Sequence, residues 1–397
     1  MPKKPAISFW YLFINFLSIG STAFGGHMAL IAVVQQKLCV KDKILEDHKL
    51  LELISLASFM PGPLAVNVVT SIGYLLKGWF GALLSMLAIL FPSFLMMLAF
   101  AYFYSNYSEQ FWFSAFLEGV MPVILALILF TAYKLGKKNL IEKYQWPIAL
   151  LALVTLIIFK GFWVIILTFV LGGIVAVLIH RKELARRKRP ILQLKFKLQY
   201  PLLLFTLLAT LLIVIPIDYS NQNASVIGVF FGKVSLTLFG GGYVMIPILQ
   251  NMLVDKLQWI ETQSFLDAIA FGQITPGPIL VSATFIGYKL AGFSGAFLAT
   301  IGIFLPSSLL MIFVAKYYQE FQHNNTVQVL FKGIKPAVVG MIAASCFLIS
   351  KGLHIDWLFV SIFLITFSLL LKFNISIFYL IVAGGILGII LNLNLYN

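Results

Sequence analysis

The sequence predicts an all-α polytopic membrane protein with about 10–13 spans, built from two homologous halves of inverted topology that contain broken helices. Three observations predict this class. Hydrophobic residues make up 61% of the 397 residues and charged residues only 11%, which leaves too little polar surface for a soluble protein of this size. Glycine and proline motifs recur at a nearly constant distance along the chain, and lysine-rich loops change position between the two copies.

The recurrence covers backbone-shaping motifs. Phe-Gly-Gly at residues 24–26 recurs at 239–241, and Pro-Gly-Pro at 61–63 recurs at 276–278, in both cases 215 positions later. Further glycine and proline pairs continue the match at an offset of 214, through the fourth apolar segment of each half. Because glycine and proline dominate the matches, the duplicated feature is a backbone shape rather than a set of reactive side chains.

Each half contains apolar segments that are candidates for membrane helices. In the first half they cover residues 8–37, 50–75, 80–104, 112–133, 146–159 and 161–179. In the second half they cover residues 224–252, 264–288, 293–317, 327–349, 355–371 and 374–393. One further segment, 200–217, lies between the halves and has no repeat counterpart. An odd connecting span turns the second half upside down relative to the first.

We therefore expect an N-terminal repeat half at residues 1–180, a basic cytoplasmic loop with a connecting span at 181–222, and a C-terminal repeat half at 223–397. The loop charges agree with inversion, because the lysine-rich loop follows the fourth segment in the first half and precedes it in the second. Eight Lys or Arg residues lie between residues 180 and 197, which places this loop and the N-terminus in the cytoplasm. The loop at 37–49 is an exception, because this topology places it outside the cell although it carries four lysines.

The Pro-Gly-Pro triplets lie near the middle of their apolar segments, about 15 Å of helix from the start. Proline and glycine break a helix, so a second half-helix is expected to begin near the bilayer midplane. Its first N–H groups have no intrahelical partner, which is tolerable in lipid only beside a polar cavity. There the unpaired N–H groups and the helix dipole favour an anion.

Glycines interrupt the first segment of each half in the same way, and paired interruptions indicate the substrate site of a transporter. The predicted substrate-binding residues are these breaks and the uncharged polar side chains beside them: Gly25, Gly26, Pro61, Gly62, Pro63, Asn67, Gly240, Gly241, Gly242, Gln273, Thr275, Pro276, Gly277, Pro278 and Ser282. Helix packing is the alternative explanation for kinks, and we prefer it for single prolines such as Pro92 and Pro306.

The sequence contains no motif that indicates an enzyme or a metal-binding protein. The chain has no phosphate-binding GxxxxGK[ST] motif, no HExxH and no His/Cys cluster, so we expect no enzyme activity, metal site or cofactor. Cys39 and Cys346 are expected to pack as small apolar residues. No acidic residue stands in the middle of a predicted span, so no carboxylate proton relay is expected. The net charge of +14 is concentrated in loops beside apolar spans, which argues against nucleic acid.

The combination of motifs resembles the chromate ion transporter family in its long, two-domain form. In the second half the resemblance is carried by FGGGYVMIP at 239–247, TPGP at 275–278 and GY-x2-AG-x2-GA at 287–296. In the first half its degenerate partners are FGGH at 24–27, MPGP at 60–63 and GY-x3-GW-x-GA at 73–82. The first half departs where His27 and Met60 stand opposite Gly242 and Thr275, so the two halves are expected to be unequal at the site.

The resemblance implies an inner-membrane protein with antiparallel halves that exports chromate, a tetrahedral dianion similar to sulfate. We expect alternating access, with the anion at the half-helix starts, chromate or sulfate and the lipid bilayer as partners, and no nucleic acid. An anion channel, or a transporter of an unrelated small solute, is the alternative. The sequence leaves a homodimer and a coupling ion open.

Overall fold

The computed structural model describes residues 7–23, 26–58, 60–108, 110–186, 218–219, 221–239, 242–315, 325–373, 375 and 377–395. Within these ranges the regular elements are all helical and no strand occurs, which confirms the predicted all-α class. The basic loop beyond residue 186 and the predicted connecting span at 200–217 lie outside them.

The helices of the first half follow the predicted segments, with a break inside the first of them. They are α1 (Phe9–Thr22), α2 (Gly26–Val34), a π-helical turn (Gln35–Lys41), α3 (Asp47–Ala57), α4 (Leu64–Tyr107), α5 (Phe111–Asn139), α6 (Gln145–Ile158) and α7 (Phe162–Arg186). The short predicted segment at 146–159 is therefore a helix, α6.

The second half repeats this order of elements. They are α8 (Ala224–Ser235), a 3-10 turn (Gly242–Val244), α9 (Met245–Leu249), a second π-helical turn (Gln250–Lys256), α10 (Thr262–Ile274), a 3-10 turn (Ile279–Val281), α11 (Ser282–Ala315), α12 (Asn325–Ser350), α13 (Trp357–Lys372) and α14 (Ile377–Leu395). Even the rare π-helical turns occur at equivalent places, which supports the duplication.

The predicted helix breaks at the two Pro-Gly-Pro triplets are confirmed. Helix α3 ends at Ala57 and α4 begins at Leu64, whereas α10 ends at Ile274 and is followed by a single 3-10 turn before α11. The central glycines, Gly62 and Gly277, have φ of 99° and 108°. Side chains rarely tolerate this backbone conformation, so glycine is required at both positions.

A second pair of breaks makes a helical hairpin in each half. The backbone leaves helical geometry at Lys77–Gly78 in α4 and at Ala291–Gly292 in α11. A Cβ atom on Gly73 would overlap the carbonyl oxygen of Gly81, and the equivalent glycines of α11 meet in the same way. Eight residues of straight helix would separate such a pair by about 12 Å, so the two arms of each helix fold back on one another.

The chain forms two compact units, and each takes segments from both halves. The first unit comprises residues 1–99, 192–242 and 275–323, and the second comprises 100–191, 243–274 and 324–397. The two predicted repeat halves are therefore interleaved in space, although their boundaries along the sequence stay a prediction.

In the first unit α8 packs along α11. A Cβ atom on Gly302 of α11 would overlap the backbone of Gly228 in α8, and one on Gly20 of α1 would overlap the backbone of Ile89 in α4. Small residues let two backbones approach closely, which is the usual basis of helix association in membranes.

The second unit is built by a reciprocal exchange of helices. Helix α5 of the first half packs on α13 and α14 of the second, while α12 of the second half packs on α6 and α7 of the first. Glycines make both contacts close, because a Cβ atom on Gly119 would overlap the backbone of Gly384, and one on Gly333 would overlap Gly172. Such reciprocity is what a two-fold relation between the repeats produces.

Within the described residues, five helices are long and apolar enough to cross a membrane: Leu64–Tyr107, Phe111–Asn139, Trp163–Arg181, Ile279–Val314 and Gln328–Ser350. Large apolar side chains stay exposed on them, such as Trp163 and Leu178 at 59% and 58% of their accessible area. Apolar surface of this kind is suited to lipid rather than to water. Cys39 and Cys346 are buried free thiols, in agreement with packing roles.

Candidate functional site

The first Pro-Gly-Pro triplet is docked on the second half of the chain, within the first unit. The amide of Gly62 donates a hydrogen bond to the carbonyl oxygen of Leu238 at 2.9 Å. A Cβ atom on Gly62 would overlap the side chain of Ser307 in α11. The glycine is therefore needed for its backbone angle and also for the close approach of the serine.

The second triplet is docked on the first half in the same manner. The amide of Gly277 donates to the carbonyl oxygen of Ala23 at 3.0 Å. The hydroxyl of Ser93 in α4 donates to the carbonyl oxygen of Pro276. A Cβ atom on Gly277 would lie 2.5 Å from Ser93 Oγ, closer than packed atoms come.

These two dockings are one contact made twice with the halves exchanged. Leu238 follows Ala23 by 215 positions, and Ser307 follows Ser93 by 214. The sequence predicts unpaired amides at the start of the helix after each break, and the structure adds that the amides of Gly62 and Gly277, inside the breaks, are paired across the repeats. The pairing has a clear physical reason, since a buried amide without a partner costs free energy.

The amides that follow each triplet come before the first hydrogen bonds of the next helix. The first intrahelical bond of α4 runs from the amide of Asn67 to the carbonyl oxygen of Pro63 at 2.9 Å. The N–H groups of residues 64–66 therefore precede the first helical bond, and geometry gives them no partner inside the helix. After the second triplet the amide of Val281 bonds to Pro278 at 3.0 Å, which leaves residues 279–280 in the same situation.

Asn67 holds the first triplet in place. It is fully buried, its Nδ2 donates to the carbonyl oxygen of Pro61 at 2.9 Å, and its Oδ1 accepts from Ser308 Oγ at 3.4 Å. Both ends of the amide are thus engaged in positioning. Around the second triplet, Thr275 and Ser282 are also buried, and Ser282 Oγ donates to the carbonyl oxygen of Ile279 at 2.8 Å.

Most of the predicted site residues fall in the first unit. Those that the structure describes there are Gly26, Pro61, Gly62, Pro63, Asn67, Gly242, Thr275, Pro276, Gly277, Pro278 and Ser282. Gly25, Gly240 and Gly241 lie outside the described residues. Gln273 belongs to the second unit, where its side chain interacts with the hydroxyl of Tyr243.

The sequence reasoning missed the residues on which the triplets dock. Ser93 and Ser307 were visible as duplicated Pro-Ser pairs, but we assigned those prolines to helix packing. It also missed Asp267, whose carboxyl group is fully buried in α10, because the residue stands near the start of a predicted span. The signal available was its position 215 residues after Glu52, another acidic residue.

Comparison with known proteins agrees with the duplicated architecture. The family described as "Chromate transporter" matches residues 10–177 and again residues 226–389. The chromate transport protein of Cupriavidus metallidurans is 30% identical over 393 residues, covering 96% of this chain and 93% of that protein. A protein of Synechococcus elongatus described as a "Probable chromate transport protein" is 30% identical over 356 residues, covering 88% and 87%. No solved structure matches the chain.

The chain that contains these paired helix breaks thus matches the family over both of its halves. The protein is an integral membrane protein that belongs to the chromate transporter family.

Proposed function

We propose that this protein carries chromate across the membrane by alternating access, with the anion held at the helix starts that follow the two Pro-Gly-Pro triplets. The observation that carries the proposal is the reciprocal docking of the triplets, in which Gly62 and Gly277 each hydrogen-bond to the opposite half. One relative reported above is described as a chromate transport protein and the other as a probable one, and chromate is an anion of the kind that helix N-termini bind.

The chemistry of the helix starts supports reversible binding. The amides of residues 64–66 and 279–280 are hydrogen-bond donors at the positive ends of two helix dipoles. Uncharged donors of this kind bind an anion without the strong attraction of a lysine or arginine, so they can also release it. Because sulfate shares the shape and charge of chromate, the same donors would accept sulfate as a competitor.

The reciprocal docking also supports alternating access. Each triplet hydrogen-bonds to the opposite repeat inside the first unit, so a rotation of that unit as one body would keep both triplets together. Transporters built from inverted repeats move in this way around a site at the repeat interface. The N-terminus and the loop at 180–197 would lie on the cytoplasmic side of the inner membrane, as their charge indicates.

Export is the direction that the membrane potential favours. Moving one charge through the potential is worth about 2.3 kcal/mol per 100 mV, so a dianion gains about twice that when it leaves a cell that is negative inside. Outward flow of chromate therefore needs no further energy source, whereas uptake needs a coupled cation or proton.

The test is chromate flux in proteoliposomes containing the purified protein, with a potassium diffusion potential of either sign. We expect flux that follows the potential and is inhibited by sulfate or molybdate on the same side. A matched pair of variants serves as control: Gly277→Ala should lose most of the flux, and Gly292→Ala, whose Cβ meets no atom within 4 Å, should keep most of it. A wild-type protein without potential-driven chromate flux contradicts the proposal. Single-channel currents in a planar bilayer would support the channel alternative instead.

A further inference from the structure

Helix α10 carries a carboxyl group where an ionised one is costly. Asp267 is fully buried and is the sixth residue of the 13-residue helix Thr262–Ile274. It lies beyond the first turn, so the positive end of the helix does little to stabilise its charge. Acidic residues at such places in membrane proteins commonly mark ion or proton pathways.

The surroundings of Asp267 are hydroxyl groups and aromatic rings. Tyr104 in α4 interacts with Asp267 electrostatically, and its hydroxyl lies 3.2 Å from the hydroxyl of Ser264, one helical turn before Asp267. On the next turn of the same face, the ring of Phe271 stacks on Phe100 at 4.9 Å. The Tyr104 hydroxyl can hydrogen-bond the carboxyl group in either protonation state, and the carboxyl group is shielded from solvent because Asp267 is fully buried.

In the first half, the acidic residue equivalent to Asp267 has a charged partner. Glu52 in α3 lies 215 residues before Asp267, and Lys49 lies 215 residues before Ser264. Lys49 Nζ is 2.5 Å from Glu52 Oε2 and its side chain is 45% exposed. The duplication thus kept an acidic residue in both half-helices but placed serine in the second half where the first has its lysine.

Other titratable groups do not compete for this role. Besides Asp267, the acidic residue that interacts with Tyr104 is Glu261, in the turn before α10. The elements that pack against α10 are α5, α14 and the second π-helical turn. On them, Glu118 of α5 and Tyr379 of α14 are exposed, and Asp255 of the turn interacts with Lys160.

We propose that Asp267 is a proton-binding site whose occupancy is linked to the binding of the transported oxyanion, an inference that rests on the transport function proposed above. A proton taken from water converts the buried carboxylate to a neutral carboxyl group. Helix α10 leads directly from Asp267 to the second triplet, and about 10 Å of helix separates it from Ile274, the last residue of α10. Loss of the negative charge removes a repulsion that opposes a dianion there, and by linkage the bound dianion raises the affinity for the proton.

The experiment compares wild type with Asp267→Asn, Asp267→Glu and the matched control Glu52→Gln in proteoliposomes that contain a pH-sensitive dye. Chromate flux is measured across a pH range alkaline enough that chromate itself stays a dianion. We expect wild-type flux to rise several-fold as the pH falls and to be accompanied by proton movement, and Glu52→Gln to share that profile. Asp267→Asn should transport without pH dependence, and Asp267→Glu should show a displaced profile. Wild-type flux that is indifferent to pH, or an Asp267→Asn profile equal to that of wild type, overturns the proposal.

A binding measurement keeps the inference testable even if Asp267→Asn is inactive. Infrared difference spectra of the purified protein should show a protonated-carboxyl band that titrates, that grows when chromate is added, and that Asp267→Asn lacks. Absence of that band from wild type, or its indifference to chromate, overturns the proton site. Failure of the transport function shows itself differently, as the absence of any potential-driven chromate flux from wild type.

Discussion

The substitution Gly277→Ala separates the two roles that the structure gives this glycine. An alanine must adopt φ of 108°, and its Cβ must also come within 2.5 Å of Ser93 Oγ. The left-handed backbone costs about 1–2 kcal/mol, overpacking adds about 1–3 kcal/mol, and loss of the hydrogen bond from Ser93 to Pro276 adds about 0.5–1.5 kcal/mol. Gly292→Ala carries only the backbone cost, since Gly292 has φ of 60° and open space at its Cβ.

We therefore expect Gly277→Ala to lower the free energy of unfolding by about 1.5–4.5 kcal/mol more than Gly292→Ala does. The measurement is equilibrium unfolding in mixed micelles, with chromate flux recorded on the same preparations. Equal losses in the two variants would refute the reasoning, because they would mean that the contact with Ser93 contributes nothing.

A double-mutant cycle with Ser93→Ala sharpens the test. In the wild-type background this change removes the hydrogen bond to Pro276 and should destabilise by about 1 kcal/mol. In the Gly277→Ala background it removes the clashing hydroxyl, since the Ser93 Cβ lies 3.6 Å from the added methyl group, and should stabilise. The same substitution is thus expected to change sign, and a cycle without coupling would show that the two residues act independently.

Three further outcomes are expected. Asn67→Leu should destabilise by about 1–3 kcal/mol and reduce chromate flux, because it leaves the buried carbonyl oxygen of Pro61 without its donor; unchanged flux would exclude a positioning role. Gly333→Ala should destabilise by about 1–3 kcal/mol because it forces two helices apart. The control is Gly136→Ala, where the nearest side-chain atom lies 3.5 Å from the added Cβ. This variant should be neutral or more stable than wild type in the same unfolding assay. Glu142→Gln should cost less than about 1 kcal/mol, since its pair with Lys332 at 3.0 Å is half exposed. A larger loss would show that its second pair, with the mostly buried His180 at 3.4 Å, contributes most of the stability.

Several elements of the fold could be predicted from the sequence because they depend on local backbone chemistry. Proline at 61 and 63 cannot continue a helix, and Gly62 adopts a φ that residues with side chains avoid. A few adjacent residues are therefore enough to predict the break between α3 and α4. The repeat at 276–278 has the same property. The apolar segments likewise follow from composition, because lipid requires about 20 apolar residues for each crossing.

The partners of those breaks could not be predicted in this way. Ser93 and Pro276 are 183 residues apart in sequence, and periodicity carries no information on which of many small residues will meet across the repeats. The acceptors of the Gly62 and Gly277 amides could not be predicted for the same reason, since Leu238 and Ala23 provide them through backbone carbonyl groups and not through their side chains.

The sequence by itself determined that this protein lies in a membrane, that it is a duplication, and where its helices break, since all three follow from apolar content and from the local stiffness of proline and freedom of glycine. Only the tertiary structure decided that each break is seated on the opposite repeat and that Asp267 is buried while Glu52 is paired with a lysine. The reason is that burial and amide pairing depend on which distant segments pack together. That packing is set by the free energy of the whole fold and not by any short stretch of sequence.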